Sequence, residues 1–380
     1  MADNKDKKVL NVPALRFPEF SGEWEKYVLT EFVERVTRRN KGNECKLPLT
    51  ISAQYGLVDQ ITFFNKIIAS DDMSNYYLLT NGDFAYNKSY SSEYPWGAIK
   101  RLDRYEYGAL SSLYICFRPL NHVSSDFLTH YFETKKWHQG ISEIAVEGAR
   151  NHGLLNIGIQ DFFATKHYLP QSILEQEKIA CFLNLIEERI RLQNKIIEKL
   201  ETLIKGIIET VISSQKPNTF IKNCLECDSS TLQESQVAEN GAYPVYGATG
   251  ISGYTETADV NGEAILITKD GSGVGTVKFA DGEYSYIGTL NRLIAREGYC
   301  LKYLYFALQG FCFEPYKTGM AIPHIYFKDY GKAKIFCPTI EEQSIIAKSL
   351  SVIENKISVE KQILFCNQLQ KSYLLSQMLI

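Results

Sequence analysis

The sequence predicts a mixed α/β (α+β) protein made of two similar halves, each a strand-rich globular domain followed by one long helix, with the two helices packed antiparallel. Three observations carry this expectation. The chain repeats itself at long range, an apolar seam with alternating steps of four and three marks a long helix, and short runs of Tyr, Phe, Ile and Val broken by Gly, Asn and Asp fill the remainder. At 380 residues, with 45% hydrophobic and 22% charged content, the chain is long enough for two or more proper cores.

The repeat is clearest where residues 157–170, IGIQDFFATKHYLP, align with 325–338, IYFKDYGKAKIFCP, pairing Ile157 with Ile325, Asp161 with Asp329 and Pro170 with Pro338. One deletion later, Glu175, Gln176, Ala180, Leu183, Ile186, Glu187 and Ile190 recur as Glu342, Gln343, Ala347, Leu350, Ile353, Glu354 and Ile357. Upstream, Asn81-Gly82-Asp83 pairs with Asn261-Gly262-Glu263 and Gly108-Ala109-Leu110 with Gly288-Thr289-Leu290. A repeat of this length means two copies of one architecture, expected to be related by a pseudo-twofold. The expected boundaries are 1–168 for the first domain, 169–214 for the first helix, 215–336 for the second domain and 337–380 for the second helix.

In the first helix the seam is Ile179, Leu183, Ile186, Ile190, Gln193, Ile197, Leu200, Ile204, Ile207 and Val211. The second copy keeps Ile346, Leu350, Ile353, Ile357 and Leu364, places Glu360 opposite the polar Gln193 position, and loses the pattern at Asn367 and Lys371. Pro170 and Pro338 stand just before each helix, where a missing amide donor is tolerated. A continuous helix over 171–214 would reach about 65 Å at about 1.5 Å per residue, a rigid spacer. Ile179, Leu183, Ile186, Ile190, Ile197, Leu200, Ile346, Leu350, Ile353 and Ile357 are the expected helix interface.

The opening MADNKDKKVL has no signal-peptide pattern and no stretch is apolar for long enough to span a bilayer, so a cytoplasmic protein is expected. Nine cysteines lie scattered singly apart from Cys224 and Cys227, the usage of reduced core thiols. Zinc would need a second close pair, and Cys300, Cys312 and His324 lack ligand spacing. A formal net charge of −3 argues against a chain that grips nucleic acid unaided, since Lys and Arg on phosphates supply much of such affinity.

No catalytic constellation is present. The sequence has no Asn-Pro-Pro-aromatic motif for methylating a base amine, no His-Glu-x-x-His and no Gly-x-Ser-x-Gly. His122, His130, His138, His152, His167 and His324 form no pair at helical spacing. Asp71-Asp72 and Glu341-Glu342 suit solvated loop or helix-start charges better than acid–base machinery. The run from Asp270 to Lys278 could be mistaken for a phosphate cradle. Gly275 is followed by Thr-Val-Lys-Phe, a strand sequence, so a glycine-rich hairpin with Asp281-Gly282 as the next turn is expected.

Basic clusters next to aromatic residues are the better binding candidates: Arg35, Arg38, Arg39 and Lys41 in one group, Lys100, Arg101 and Arg104 after Tyr94 and Trp96 in another. A solvated face is the plain alternative for each. Lys88, Ser89 and Tyr90 in the first half, and Lys269, Ser272, Lys278, Lys317 and Thr318 in the second, sit in loops that could reach a DNA backbone or base edge.

Several strings carry a family likeness: LRFPEFSGEWE, LPLTISAQYGLV, GDFAYNKSYS, GALSSLYICFRP and ARNHGLLNI in the first half, YPVYGATGISGYT, ILITKDGSGVG and TGMAIPHIYFKD in the second. With the two Pro-then-Glu-Gln helix starts, they resemble the specificity subunit of Type I restriction-modification systems over nearly the whole chain. The resemblance implies two target recognition domains, each reading half of a bipartite site in double-stranded DNA, held apart by helices that dock modification (methyltransferase) subunits. It assigns adenine methylation to that partner and ATP-driven translocation and cleavage to a restriction subunit, leaving this chain without catalytic residues, cofactor or metal. Two rivals remain: a coiled-coil scaffold that binds only proteins, and an enzyme using nucleotide at Gly271–Gly275.

Overall fold

The computed structural model describes residues 10–145 and 154–380; the first nine residues, His152 and the opening residues of the ARNHGLLNI string lie outside them. Two compact units form, one from the N-terminal part up to Arg191 together with Phe365–Ile380, the other from Leu192–Leu364.

In the first unit, Val33–Arg35, Ile115–Pro119, Phe84–Asn87 and Ala98–Arg101 form one antiparallel sheet in that order. Gly56–Asp59, Pro48–Ser52, Tyr107–Leu110 and Tyr77–Thr80 form a second, in which Pro48–Ser52 and Tyr107–Leu110 run parallel. Glu25–Val28 pairs separately with Lys166–Leu169.

The second unit repeats this strand for strand. Leu225–Ser229, Leu290–Ala295, Ala264–Thr268 and Val277–Ala280 form the antiparallel sheet. Ile251–Thr255, Tyr243–Tyr246, Glu283–Tyr286 and Val260–Asn261 form the mixed one, with its parallel pair at Tyr243–Tyr246 and Glu283–Tyr286. Thr219–Phe220 pairs with Lys334–Ile335. The central strand Ala264–Thr268 is buried along its whole length, which is why its sequence is a continuous apolar run and not an alternation.

The predicted match of Gly82 with Gly262 marks one shared turn. Both have positive φ, +90° and +119°, and both donate their amide across the turn, to the Leu102 carbonyl at 2.9 Å and the Gly282 carbonyl at 2.8 Å. The pairing of Gly108 with Gly288 does not hold. Gly108 lies inside a strand where a Cβ would come within 2.2 Å of the Leu49 side chain, whereas Gly288 lies in the turn after Glu283–Tyr286.

The long helices are Ile173–Ile208 and Ile340–Met378. The second starts with a capping box, in which Thr339 Oγ1 accepts from the Glu342 amide at 3.3 Å and Glu342 Oε2 accepts from the Thr339 amide at 3.1 Å. Gln176 and Gln343 do the same work in the two units. Each donates its side-chain amide to the carbonyl of the proline before the helix, Pro170 or Pro338, at 2.9 Å. Each accepts the backbone amide that precedes a helix of the globular domain, Ser124 at 2.9 Å ahead of Ser125–Glu133 and Cys300 at 3.0 Å ahead of Leu301–Gln309.

Ile179, Leu183 and Ile186 are buried in the first unit's core with Leu374, Met378 and Leu379, and Ile190 is partly buried against it. In the second unit Ile197, Leu350 and Ile357 are buried, while Leu200, Ile346 and Ile353 are half-buried. The helices run antiparallel: Gln193 donates to the Glu360 backbone carbonyl at 3.1 Å and to its carboxylate, and Lys361 meets Glu201 at 2.7 Å.

Two expectations about the seam need correction. Val211 is exposed and Ile212 is buried instead, because the helix widens into a π-turn at Glu209–Ser213 and the extra residue rotates the seam, while Ile208 just before it is buried beside the partly buried Ile207. The second helix does not lose its inward face after Leu364. Asn367 is buried, Lys371 binds Glu133 at 2.8 Å and Glu187 at 2.6 Å, and Leu374 and Met378 resume the apolar positions. Burial alone would lower the Lys371 pKa, but the two carboxylates outweigh it and raise it.

The first unit's core also holds a neutral histidine. His167 is buried, with the Tyr131 hydroxyl 3.0 Å from Nδ1 and the Thr165 hydroxyl 2.8 Å from Nε2, and burial pushes its pKa down from 6.5 to about 4. The unfolded chain therefore binds this proton first, so the stabilisation is complete above about pH 6.5 and is lost as pH falls toward 4. Urea unfolding should show a loss of about 2 kcal/mol between pH 8 and pH 5 from this residue. His167→Gln should remove that share, and an unchanged pH dependence in the variant would refute the assignment.

Candidate nucleic-acid interface

In the second unit, the glycine-rich run joins the antiparallel strands Ala264–Thr268 and Val277–Ala280, as expected. It is closed by its own amides. Val274 donates to the Gly271 carbonyl at 3.1 Å, Gly275 to Thr268 at 2.9 Å and Thr276 to Gly273 at 3.0 Å. Gly275, at φ +90°, is packed so that a Cβ would meet the Phe313 side-chain carbons at 3.1–3.3 Å. Amides engaged in this way cannot ring a phosphate, which removes the geometric basis of a nucleotide site here. Asp281-Gly282 is a turn but not a hairpin turn, since Val277–Ala280 and Glu283–Tyr286 belong to different sheets.

A second loop is tied to this one. Thr318 and His324 pair backbone to backbone, at 2.9 and 2.7 Å, and close a hairpin over residues 319–323. The Gly271 amide donates to the Pro323 carbonyl at 3.0 Å, the Ile325 amide to Lys269 at 2.9 Å, and His324 Nδ1 lies 2.7 Å from Asp270 Oδ1. Burial pushes the Asp270 carboxyl up, but the hydrogen bonds from Lys269 and His324 outweigh it and hold it below the ordinary carboxylate value. The structure thus brings Lys269, Ser272, Lys317 and Thr318 to one pair of loops, with Ser272 and Thr318 exposed. Lys269 is paired with Asp270 at 2.9 Å and Lys317 with Glu314. Lys278 stands apart: its ammonium donates to the Ala248 carbonyl at 2.9 Å, and burial lowers its pKa.

The first unit has the same joint. The Leu155 amide donates to the Lys88 carbonyl at 2.9 Å and Ser89 forms a bridge with Leu154, matching the Ile325–Lys269 bond and the Asp270–His324 bridge. Lys88, Ser89 and Tyr90 therefore occupy the position that Lys269 and Asp270 hold in the second unit, although the Tyr90 ring is packed partly against the core.

The basic clusters divide. Arg39 lies 4.2 Å over the Tyr77 ring and donates to the Asn75 carbonyl at 2.6 Å, and Arg35 reaches the Tyr77 hydroxyl at 3.3 Å. Arg101 is committed to Asp103 and Asp126, both at 2.6 Å. Arg38, Lys41 and Arg104 are exposed and, among the described residues, carry no ion pair. Sequence reasoning missed the Asp270–His324 pair because its partners are far apart in the chain, and it could not see that Arg101 meets Asp126 of the helix Ser125–Glu133.

One cluster has metal-ligand chemistry. His130, Glu133 and Glu187 bring ligand atoms within 4.8 Å of one another, but the Lys371 ammonium sits between the carboxylates and already neutralises them. A divalent ion would have to displace it.

Residues 225–365 match the family model of the Type I restriction modification DNA specificity domain. The specificity domain so defined runs from the first strand of the antiparallel sheet into the second long helix, and it contains both loops described above. The fold is shared with the S subunit of a Type I restriction-modification system from M. genitalium, at a TM-score of 0.63 and 15% identity, covering 97% of this chain and 99% of that one. A chain from a structure of complex assembly and conformational transition in the type I R-M system matches at a TM-score of 0.53 and 16% identity, covering 93% and 97%. Among curated proteins no sequence matches. These matches bear out the resemblance and the fold class expected from the sequence.

The divided basic cluster gives a contrast to measure. Arg38→Ala with Arg104→Ala should leave the melting temperature unchanged, weaken DNA binding and flatten the slope of log affinity against log salt by up to about 2. Arg101→Ala should instead lower stability, by up to about 1 kcal/mol, through loss of its pairs with the half-exposed Asp103 and Asp126. The reverse pattern in paired melting and binding titrations would overturn the division.

Proposed function

We propose that the chain is the specificity subunit of a Type I restriction-modification enzyme, reading a bipartite site in double-stranded DNA without catalysing a reaction itself. The observation that carries this reading is the duplication. A ten-strand domain of one topology occurs twice, and the second copy lies largely within a DNA specificity domain. Two copies of one reader suit two half-sites, with residues 1–168 and 215–336 as target recognition domains and 169–214 and 337–380 as the spacer helices. The reading places the chain in the cytoplasm with its DNA. Among the described residues no helix is long and apolar enough to cross a membrane.

Docking of a modification subunit is supported by the outer faces of the helices. Within the second unit, Leu192, Ile196 and Leu203 on the first helix and Ile345, Val352 and Val359 on the second are exposed, although Ile197, Leu350 and Ile357 already fill the seam. Steps of seven and four return to one face of a helix, so each helix carries an apolar stripe outside its pairing seam. The net charge of −3 and the internal pairing of Lys269 and Lys317 leave much of the phosphate contact to a basic partner. A restriction subunit would complete the assembly.

The purified chain should transfer no methyl group from S-adenosylmethionine, and addition of a modification subunit should yield methylated adenine at a split sequence. Methyl transfer by the chain alone would sink the proposal. Val352→Arg and Ile345→Arg should leave the melting temperature within about 2 °C and weaken modification-subunit binding at least tenfold, as read by sedimentation. Undiminished assembly would exclude this face.

A further inference from the structure

The hairpin closed by Thr318 and His324 is rigid, and its tip is apolar. Gly319 has φ +91°, and a Cβ there would come within 2.3 Å of the Ile322 carbonyl, so only glycine fits the turn. The base is held by the Gly271–Pro323, Ile325–Lys269 and His324–Asp270 contacts. From this support Met320 projects with its side chain fully exposed and Ile322 is 58% exposed. Of these two large apolar side chains, Met320 buries nothing within the unit and Ile322 less than half of its surface.

We propose that Met320 and Ile322 form an apolar wedge that enters a DNA groove and packs against base surfaces or thymine methyl groups. This rests on the DNA-reading function proposed above. Three features favour duplex DNA as the occupant. The tip lies inside the matched DNA specificity domain. It is flanked by the exposed Ser272 and Thr318, whose hydroxyl oxygens suit hydrogen bonding beside an apolar insertion. Two side chains are also too small a surface for a protein partner, which needs on the order of 800 Å² per side, but they fit a groove about 6–12 Å wide. Apolar contact with bases releases no counterions, so the wedge supplies affinity that salt does not screen.

The test uses the full chain with its modification subunit, and as probe a duplex carrying the sequence that the wild-type complex methylates, mapped beforehand on random DNA. Met320→Ala with Ile322→Ala should weaken binding at least tenfold with an unchanged salt slope and an unchanged melting temperature. Binding within twofold of wild type, or a loss with a flattened slope, overturns the wedge while leaving the reader function intact. Met320→Trp gives a direct readout, since stacking on bases should quench the added indole fluorescence, and an unquenched indole in the bound complex also overturns it. Failure of the wild-type complex to select any sequence would overturn the reader function, and the wedge with it.

Discussion

The joint between each globular domain and its long helix depends on one buried side chain, Gln176 in the first unit and Gln343 in the second. A primary amide can donate and accept at once, and here it donates to the carbonyl of the proline that starts the helix and accepts the amide that starts a domain helix. Both backbone groups would otherwise be buried at helix entrances without partners, which costs about 1–3 kcal/mol each. The long helix cannot change its angle to the domain without breaking both bonds.

The same constraint explains what was legible in the sequence. The Gln after each proline is legible because one primary amide both donates and accepts at the same joint in each unit, whereas the Glu before it does different work, Glu175 binding Arg16 and Glu342 capping its helix. The turn at Gly82 and Gly262 is legible for a similar reason, a backbone conformation closed to other residues. The seam was readable as a periodicity up to the π-turn at Glu209–Ser213, where one extra residue shifts the register and a rule of fours and threes fails.

What sequence reading missed depends on partners distant in the chain. Lys371 looks like the end of a seam, yet Glu133 and Glu187 make it an inward-facing position. Arg101 looks like a phosphate ligand, yet Asp126 on the helix Ser125–Glu133 joins the neighbouring Asp103 in occupying it. Of the candidate DNA residues, only Lys88 and Ser89 in one unit and Lys269 in the other come to equivalent loop joints, a placement that follows from strand topology that no local pattern encodes.

The contribution of Phe365–Ile380 to the first unit has a bearing on synthesis. Leu374, Met378 and Leu379 lie in the core built around Trp24, Phe117 and Leu183, and the Leu15 amide is bonded to the Gln377 carbonyl. A ribosome makes all of the second unit before it makes these residues. The unit that emerges first is therefore the last to close, and until then its apolar helix face stays open to chaperones or to a neighbouring nascent chain.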